Sequence, residues 1–190
     1  MNYIVRISNF LYYQIIKYKE FDKLQKIKIK YGIECIVSEL SKIIFYFIIF
    51  SLLSLTNEFI IAILFFSSFR IYSGGFHQNT YISCFITSFF LLFTIIKLPY
   101  LIPFTLETKL ILIIVTYVLT YIYSPVDHPN KRIKSKKQKK KIKYISIFVL
   151  IILSFISVTL KPIFSNIAIS ALFIQSITLL VGKIHQENSW

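Results

Sequence analysis

The chain has 190 residues, 56% of them hydrophobic, and a mean hydropathy of +0.68. A soluble globular domain is ~45–50% apolar, so this composition, arranged in long apolar runs, excludes an ordinary soluble domain and puts the chain in the membrane class. The net charge is +14, with eight of the 22 basic residues in positions 1–42 and nine in 131–143. These blocks flank apolar spans, so positive-inside topology accounts for them more simply than nucleic-acid binding does.

Residues 1–40 form a basic arm. Ile4, Ile7, Leu11, Ile15 and Tyr18 recur at helical spacing, which predicts an amphipathic helix on the membrane surface in preference to a solvated basic segment. A second basic stretch, Lys23 to Lys30, follows, then Gly32. The transmembrane bundle occupies 43–181. Ile43–Leu55 and Phe59–Phe69 are apolar pieces separated by Thr56-Asn57-Glu58. One tilted helix across both would bury Glu58, and a charge at mid-membrane costs ~2.5–3.5 kcal/mol on insertion scales. A tight turn at Thr56-Asn57-Glu58 is therefore expected, with Arg70-Ile71-Tyr72 extending the second helix to the inner interface. Tyr81–Leu98 is the third span, broken by Pro99 and Pro103, and Leu110–Tyr123 is the fourth. Ser124-Pro-Val-Asp-His-Pro-Asn130 is a turn-rich exit before the lysine block. Tyr144–Leu160 and Ile163–Val181 complete six spans, and 183–190 is a short polar tail.

The expected fold is thus all-α: a single-domain, polytopic integral membrane protein of about six transmembrane helices with an amphipathic N-terminal arm. Six spans put both termini on one side. The arm, Arg70, the 131–143 block and Lys183, against Lys97, Lys109 and Lys161, make that side cytoplasmic. No cleavable signal peptide is visible. Cys35 and Cys84 both fall on the cytoplasmic side, where thiols stay reduced.

Reactive chemistry gathers in Arg70-Ile-Tyr-Ser-Gly74-Gly75-Phe-His77-Gln-Asn79-Thr-Tyr-Ile-Ser-Cys84. An unassisted thiol is only ~3% ionised at pH 7, and a nearby His can activate it. Seven residues of straight helix would separate His77 from Cys84 by ~10.5 Å of rise, too far to share a proton. Gly74-Gly75 can break the helix and fold His77 back, since glycine takes dihedrals closed to other residues. Asn79 or Thr80 can cap the following helix, leaving Cys84 near its first turn, where the dipole favours a thiolate. Arg70 suits either a substrate carboxylate or a snorkelling anchor. Asn79, Ser73 and backbone carbonyls are all open as the group that orients His77. Cys84, His77, Cys35 and His128 do not have the spacing of a zinc motif, so no metal or other cofactor is expected. His128 beside Asp127 reads as a structural corner in preference to a second base, and Cys35 as a bystander.

Arg70, Gly74-Gly75-Phe76-His77, Cys84 and the later Pro125-Val126-Asp127-His128-Pro129-Asn130-Lys131 stretch, in a polytopic chain of this length, resemble the accessory gene regulator protein B family. The resemblance implies a bacterial plasma-membrane cysteine endopeptidase of quorum sensing, its site facing the cytoplasm. It implies a precursor with an amphipathic leader, a central signal segment and an acidic tail. Cys84 would attack the peptide bond before the tail with His77 as its proton partner, and a (thio)lactone ring would follow. Arg70, Gly74, Gly75 and Asn79 would support the site. Partners on this reading are that precursor, the bilayer and a second copy in a homodimer, with no nucleic acid. The rivals are a non-enzymatic six-span subunit that binds a small molecule for a transporter, and a membrane scaffold. Both leave the Gly-Gly-His-Cys cluster without a role.

Overall fold

Long runs of Ile, Leu and Phe can satisfy their backbone in an apolar medium only as helices or closed barrels, and here their length and lack of alternation select helices. A computed structural model of the chain describes residues 2–18, 20–76, 78, 80–126 and 135–188. Within them are seven α-helices and no strand: α1 Asn2–Ile16, α2 Lys23–Leu52, α3 Thr56–Ser73, α4 Tyr81–Leu101, α5 Leu106–Tyr123, α6 Lys136–Thr159 and α7 Pro162–Asn188. Five of them (α2, α4, α5, α6 and α7) are long and apolar enough to cross a membrane. In α3, Asn57, Glu58 and Arg70 dilute an apolar centre within only 18 residues.

The helices fall into two compact units, Met1–Ser54 and Leu55–Trp190. In the first, α1 packs along α2, while Ile7, Leu11 and Ile15 on α1 stay exposed. The basic stretch from Lys23 and the apolar stretch to Leu52 are one 30-residue helix. Asp22 starts it with a capping box, its carboxylate accepting from the first backbone N–H groups while Gln25 reaches back to the Asp22 N–H. Gly32 interrupts nothing, because the turns on either side carry it, and a Cβ there would meet nothing within 4 Å. Gly32→Ala is therefore expected to stabilise α2 by ~0.5–1 kcal/mol, read as a higher thermal midpoint of the full chain in detergent. A lower midpoint would mean that Gly32 is used for something other than helix continuity. Lys42, buried in α2, is paired with the Glu39 carboxylate one turn earlier.

In the second unit α7 is the hub, packed against α3, α4, α5 and α6. Of its most apolar 18 residues 67% are buried, against 17%, 11% and 17% in α4, α5 and α6. Small residues (Ser165, Ala168, Ala171, Ser176) alternate with Ile and Leu along it, so neighbouring backbones can approach closely. Its hydroxyls turn inward: Ser170 Oγ donates to Asn166 O at 2.8 Å and Ser176 Oγ to Phe173 O at 2.7 Å.

Several boundaries differ from the sequence reading. Thr56-Asn57-Glu58 is the first turn of α3, and the break falls at Leu53–Leu55, where Ser54 has φ 58°. An acidic residue in a first turn complements the helix dipole, and this favours Glu58 inside the helix. Pro99 does not end α4, which runs on to Leu101; so near a C-terminus a proline removes a single helical hydrogen bond. Thr105 caps α5 by accepting from Thr108 N at 3.2 Å, so α5 begins four residues before Leu110. The later part of the lysine block, from Lys136, is the start of α6, and α7 carries most of the polar tail to Asn188. Lys and Gln are good helix formers, so these helices continue where their apolar runs do not.

Candidate functional site

The helix from Arg70 does not continue to Cys84. It ends at Ser73, and Gly74 (φ 77°, ψ −155°) and Gly75 (φ 149°) turn the chain away. Both glycines are required. A Cβ on Gly74 would lie 2.3 Å from Val126 O, and one on Gly75 would lie 2.8 Å from Thr178 Oγ1 and 2.9 Å from an Arg70 nitrogen. Helix α4 then starts at Tyr81, with Thr80 as N-cap accepting from Ser83 N at 3.2 Å. Cys84 is in the first turn of α4, its N–H bonded to Thr80 O at 3.0 Å. It is half-buried, with Sγ 4.0 Å from Ser88 Oγ. Cys35 is exposed on α2. His77, Asn79 and the stretch from Asp127 to Lys131 lie outside the described residues.

A helix end leaves its last carbonyls without helical partners. At the end of α3 they are taken up by several elements. Tyr72 O accepts from Ser146 Oγ of α6 at 2.8 Å. Ser73 O accepts from Val126 N at 3.1 Å, which ties in the segment after α5. Gly74 O accepts from Gln175 Nε2 of α7 at 2.7 Å. Phe76 N donates to Thr178 O at 3.0 Å, and Phe76 O accepts from Arg70 Nη2. The backbone of α7 comes close enough that a Cβ on Gly182 would stand 2.8 Å from Phe76 N. The Phe76 ring meets the His185 ring edge-on, 5.3 Å between centroids.

The Arg70 guanidinium is the centre of this cluster. Nη1 donates to Gln175 Oε1 at 3.2 Å and to Thr178 Oγ1 at 3.3 Å, Nη2 serves Phe76 O, and the group lies 5.6 Å from the Phe66 ring centroid. Only a planar fork reaches partners on two sides at once. The structure thus brings Arg70, Gly74 and Gly75 together and sets Cys84 at the head of the next helix. Gln175 and Thr178 belong to the same cluster and do not follow from the Gly-Gly-His-Cys pattern. The signal for them was polar side chains deep inside an apolar span, which need partners there. Among the described residues no three His, Cys, Asp or Glu side chains gather as metal ligands.

The family model described as accessory gene regulator B (AgrB) matches residues 6–179. The chain belongs to the AgrB family. Membership makes it a membrane protein of quorum-sensing signal-peptide processing, and the matched segment includes every residue of the cluster from Arg70 to Thr178. No match is found among curated proteins or among solved structures. In this AgrB chain, Arg70→Lys would keep the charge and lose the fork. Hydrogen bonds to charged groups contribute about 1.5–3 kcal/mol each, so signal-peptide processing is expected to fall at least ~10-fold at matched protein level, measured as processed peptide per cell.

Proposed function

We propose that this chain is a cysteine-type endopeptidase of the bacterial plasma membrane, a six-span protein with both termini and its site on the cytoplasmic side. It removes the C-terminal tail of a signal-peptide precursor and promotes ring closure of what remains. The observation that carries this reading is the position of Cys84. It sits in the first turn of a capped helix, the next helix after a glycine break, in a chain of the AgrB family.

The chemistry proceeds in two balanced steps. His77 takes the Cys84 thiol proton, and the thiolate attacks the carbonyl carbon before the tail. The C–N bond breaks, His77 returns its proton to the leaving amine, and a thioester joins the precursor to Cys84. A Cys thiol or Ser hydroxyl within the precursor then attacks the thioester carbonyl. Its proton passes through His77 to the departing Cys84 sulfur, leaving a thiolactone or lactone and a regenerated thiol. The second step needs water kept from the thioester, which a membrane-embedded site favours. Arg70, Gly74 and Gly75 hold the loop, and Asn79 is assigned to the site by its place in the chain. The basic block at 131–143 attracts an acidic tail, the N-terminal arm lies with an amphipathic leader on the bilayer surface, and two copies form a homodimer. A transporter subunit or a scaffold would have no use for the glycine-made break before a helix-head cysteine.

The thioester is the testable intermediate. With precursor added to the protein in lipid vesicles, mass spectrometry is expected to find an acyl adduct on Cys84, none on Cys35, and its release by hydroxylamine. Tail cleavage without a hydroxylamine-sensitive adduct on Cys84 would overturn the proposal.

A further inference from the structure

Resting on that reading, we infer that Gln175, with Thr178, is a positioning residue: it fixes the backbone entering His77 and so sets the His77–Cys84 pairing. Gln175 is fully buried, 0% exposed, in the middle of an apolar helix. Its amide is fully used. Oε1 accepts from Arg70 Nη1 at 3.2 Å and shares the single Thr178 Oγ1 proton, at 2.9 Å, with the Gln175 backbone O at 2.8 Å, while Nε2 donates to Gly74 O at 2.7 Å and to Ser73 Oγ at 3.3 Å. The orientation is not arbitrary, because the Gly74 carbonyl can only accept and the Arg70 guanidinium can only donate. The reversed amide would lose both contacts.

These partners distinguish Gln175 from a residue that merely joins two helices. Gly74 O is held by Gln175 itself. Phe76 O is held by Arg70, which Gln175 and Thr178 orient. Phe76 N is held by Thr178 O. All three contacts fall on the residues immediately before His77. A buried, fully satisfied polar network admits one arrangement, and a displacement of about 1 Å at a reacting group can lower a rate ~100-fold.

Iodoacetamide labelling of the full chain in lipid vesicles at neutral pH tests the inference, with Cys35 as the internal reference. A His that accepts the thiol proton as the sulfur attacks raises the alkylation rate of that thiol ~10-fold. Wild type is expected to alkylate Cys84 ~10-fold faster than Cys35. Gln175→Leu is expected to erase most of that preference without changing the Cys35 rate, and His77→Ala to erase it equally. The double variant is expected to lose no more than either single one, since the two act through one pairing. A residue needed only for packing would leave the preference intact in the folded fraction. Where Gln175→Leu does not accumulate, Thr178→Val, which keeps the volume and removes an Arg70 partner, is read the same way. An unchanged preference in the variant, or an effect that adds fully to that of His77→Ala, would overturn the positioning role alone. A wild type with no preference, and no response to His77→Ala, would overturn the dyad and the inference with it.

Discussion

On the proposed mechanism, Cys84→Ser is expected to abolish tail removal and His77→Ala to come close to doing so, each at wild-type protein level. Serine replaces sulfur by oxygen with almost no change of shape, and Cys84 is half-buried near Ser88, so the fold has no reason to respond. The chemistry does respond: a hydroxyl is far harder to ionise than a thiol. Removing the nucleophile of a covalent mechanism lowers turnover by ~10⁴-fold or more. Loss of the general base costs ~10²–10⁴-fold, because a thiol keeps a few per cent of thiolate without help. Cys35→Ala, on an exposed site of the other unit, is expected to process as wild type. The measurement is the ratio of tailed to tail-free precursor in cells co-expressing the two proteins. Substantial processing by Cys84→Ser would mean that sulfur chemistry is not what this position provides.

Gly74→Ala is the second large effect, and it is steric. At φ 77° an L side chain is already strained, and its Cβ would lie 2.3 Å from Val126 O. That oxygen cannot simply yield, because the same residue's N–H is bonded to Ser73 O at 3.1 Å. Either the segment after α5 leaves α3, or the loop leaves its Gln175 and Thr178 anchors. Backbone strain of this kind costs about 1–3 kcal/mol, and a shifted loop displaces whatever follows it. Processing is expected to fall ~100-fold, while helix content, read by circular dichroism, stays at the wild-type value. Near-normal processing by this variant would show that the docked form of the loop is not the working one.

Much of this could be read before any coordinates. Each apolar segment between 43 and 181 maps onto one of α2 to α7, with Ile43–Leu55 overrunning the end of α2 at Leu52 and Tyr144–Leu160 that of α6 at Thr159, since composition and length leave helices as the workable form. The break at Gly74-Gly75 follows from the glycine pair, and the cap of the next helix is narrowed to Asn79 or Thr80, of which the structure takes Thr80. Boundaries set by lysines and by Pro99 were not legible, because hydropathy marks where a helix meets lipid and not where its hydrogen bonds end. The roles of Gln175 and Thr178 were hidden for another reason. Their partner Arg70 is 105 residues away in the chain from Gln175, and no local pattern encodes a pairing of that range. The argument that disfavoured burying Glu58 would have applied to Gln175 as well: a polar group in a span needs a partner, and Arg70 was already seeking one.

That separation has a consequence for how the protein is made. At ~5–20 residues per second of synthesis, Gln175 follows Arg70 from the ribosome by about 5–20 s. During that interval Cys84 is already in place on the nascent chain, but the helix that anchors the glycine loop does not yet exist. The docked form of the glycine loop therefore arrives with the last helix, and a chain halted before α7 carries Cys84 without the Gln175 and Thr178 anchors of that loop.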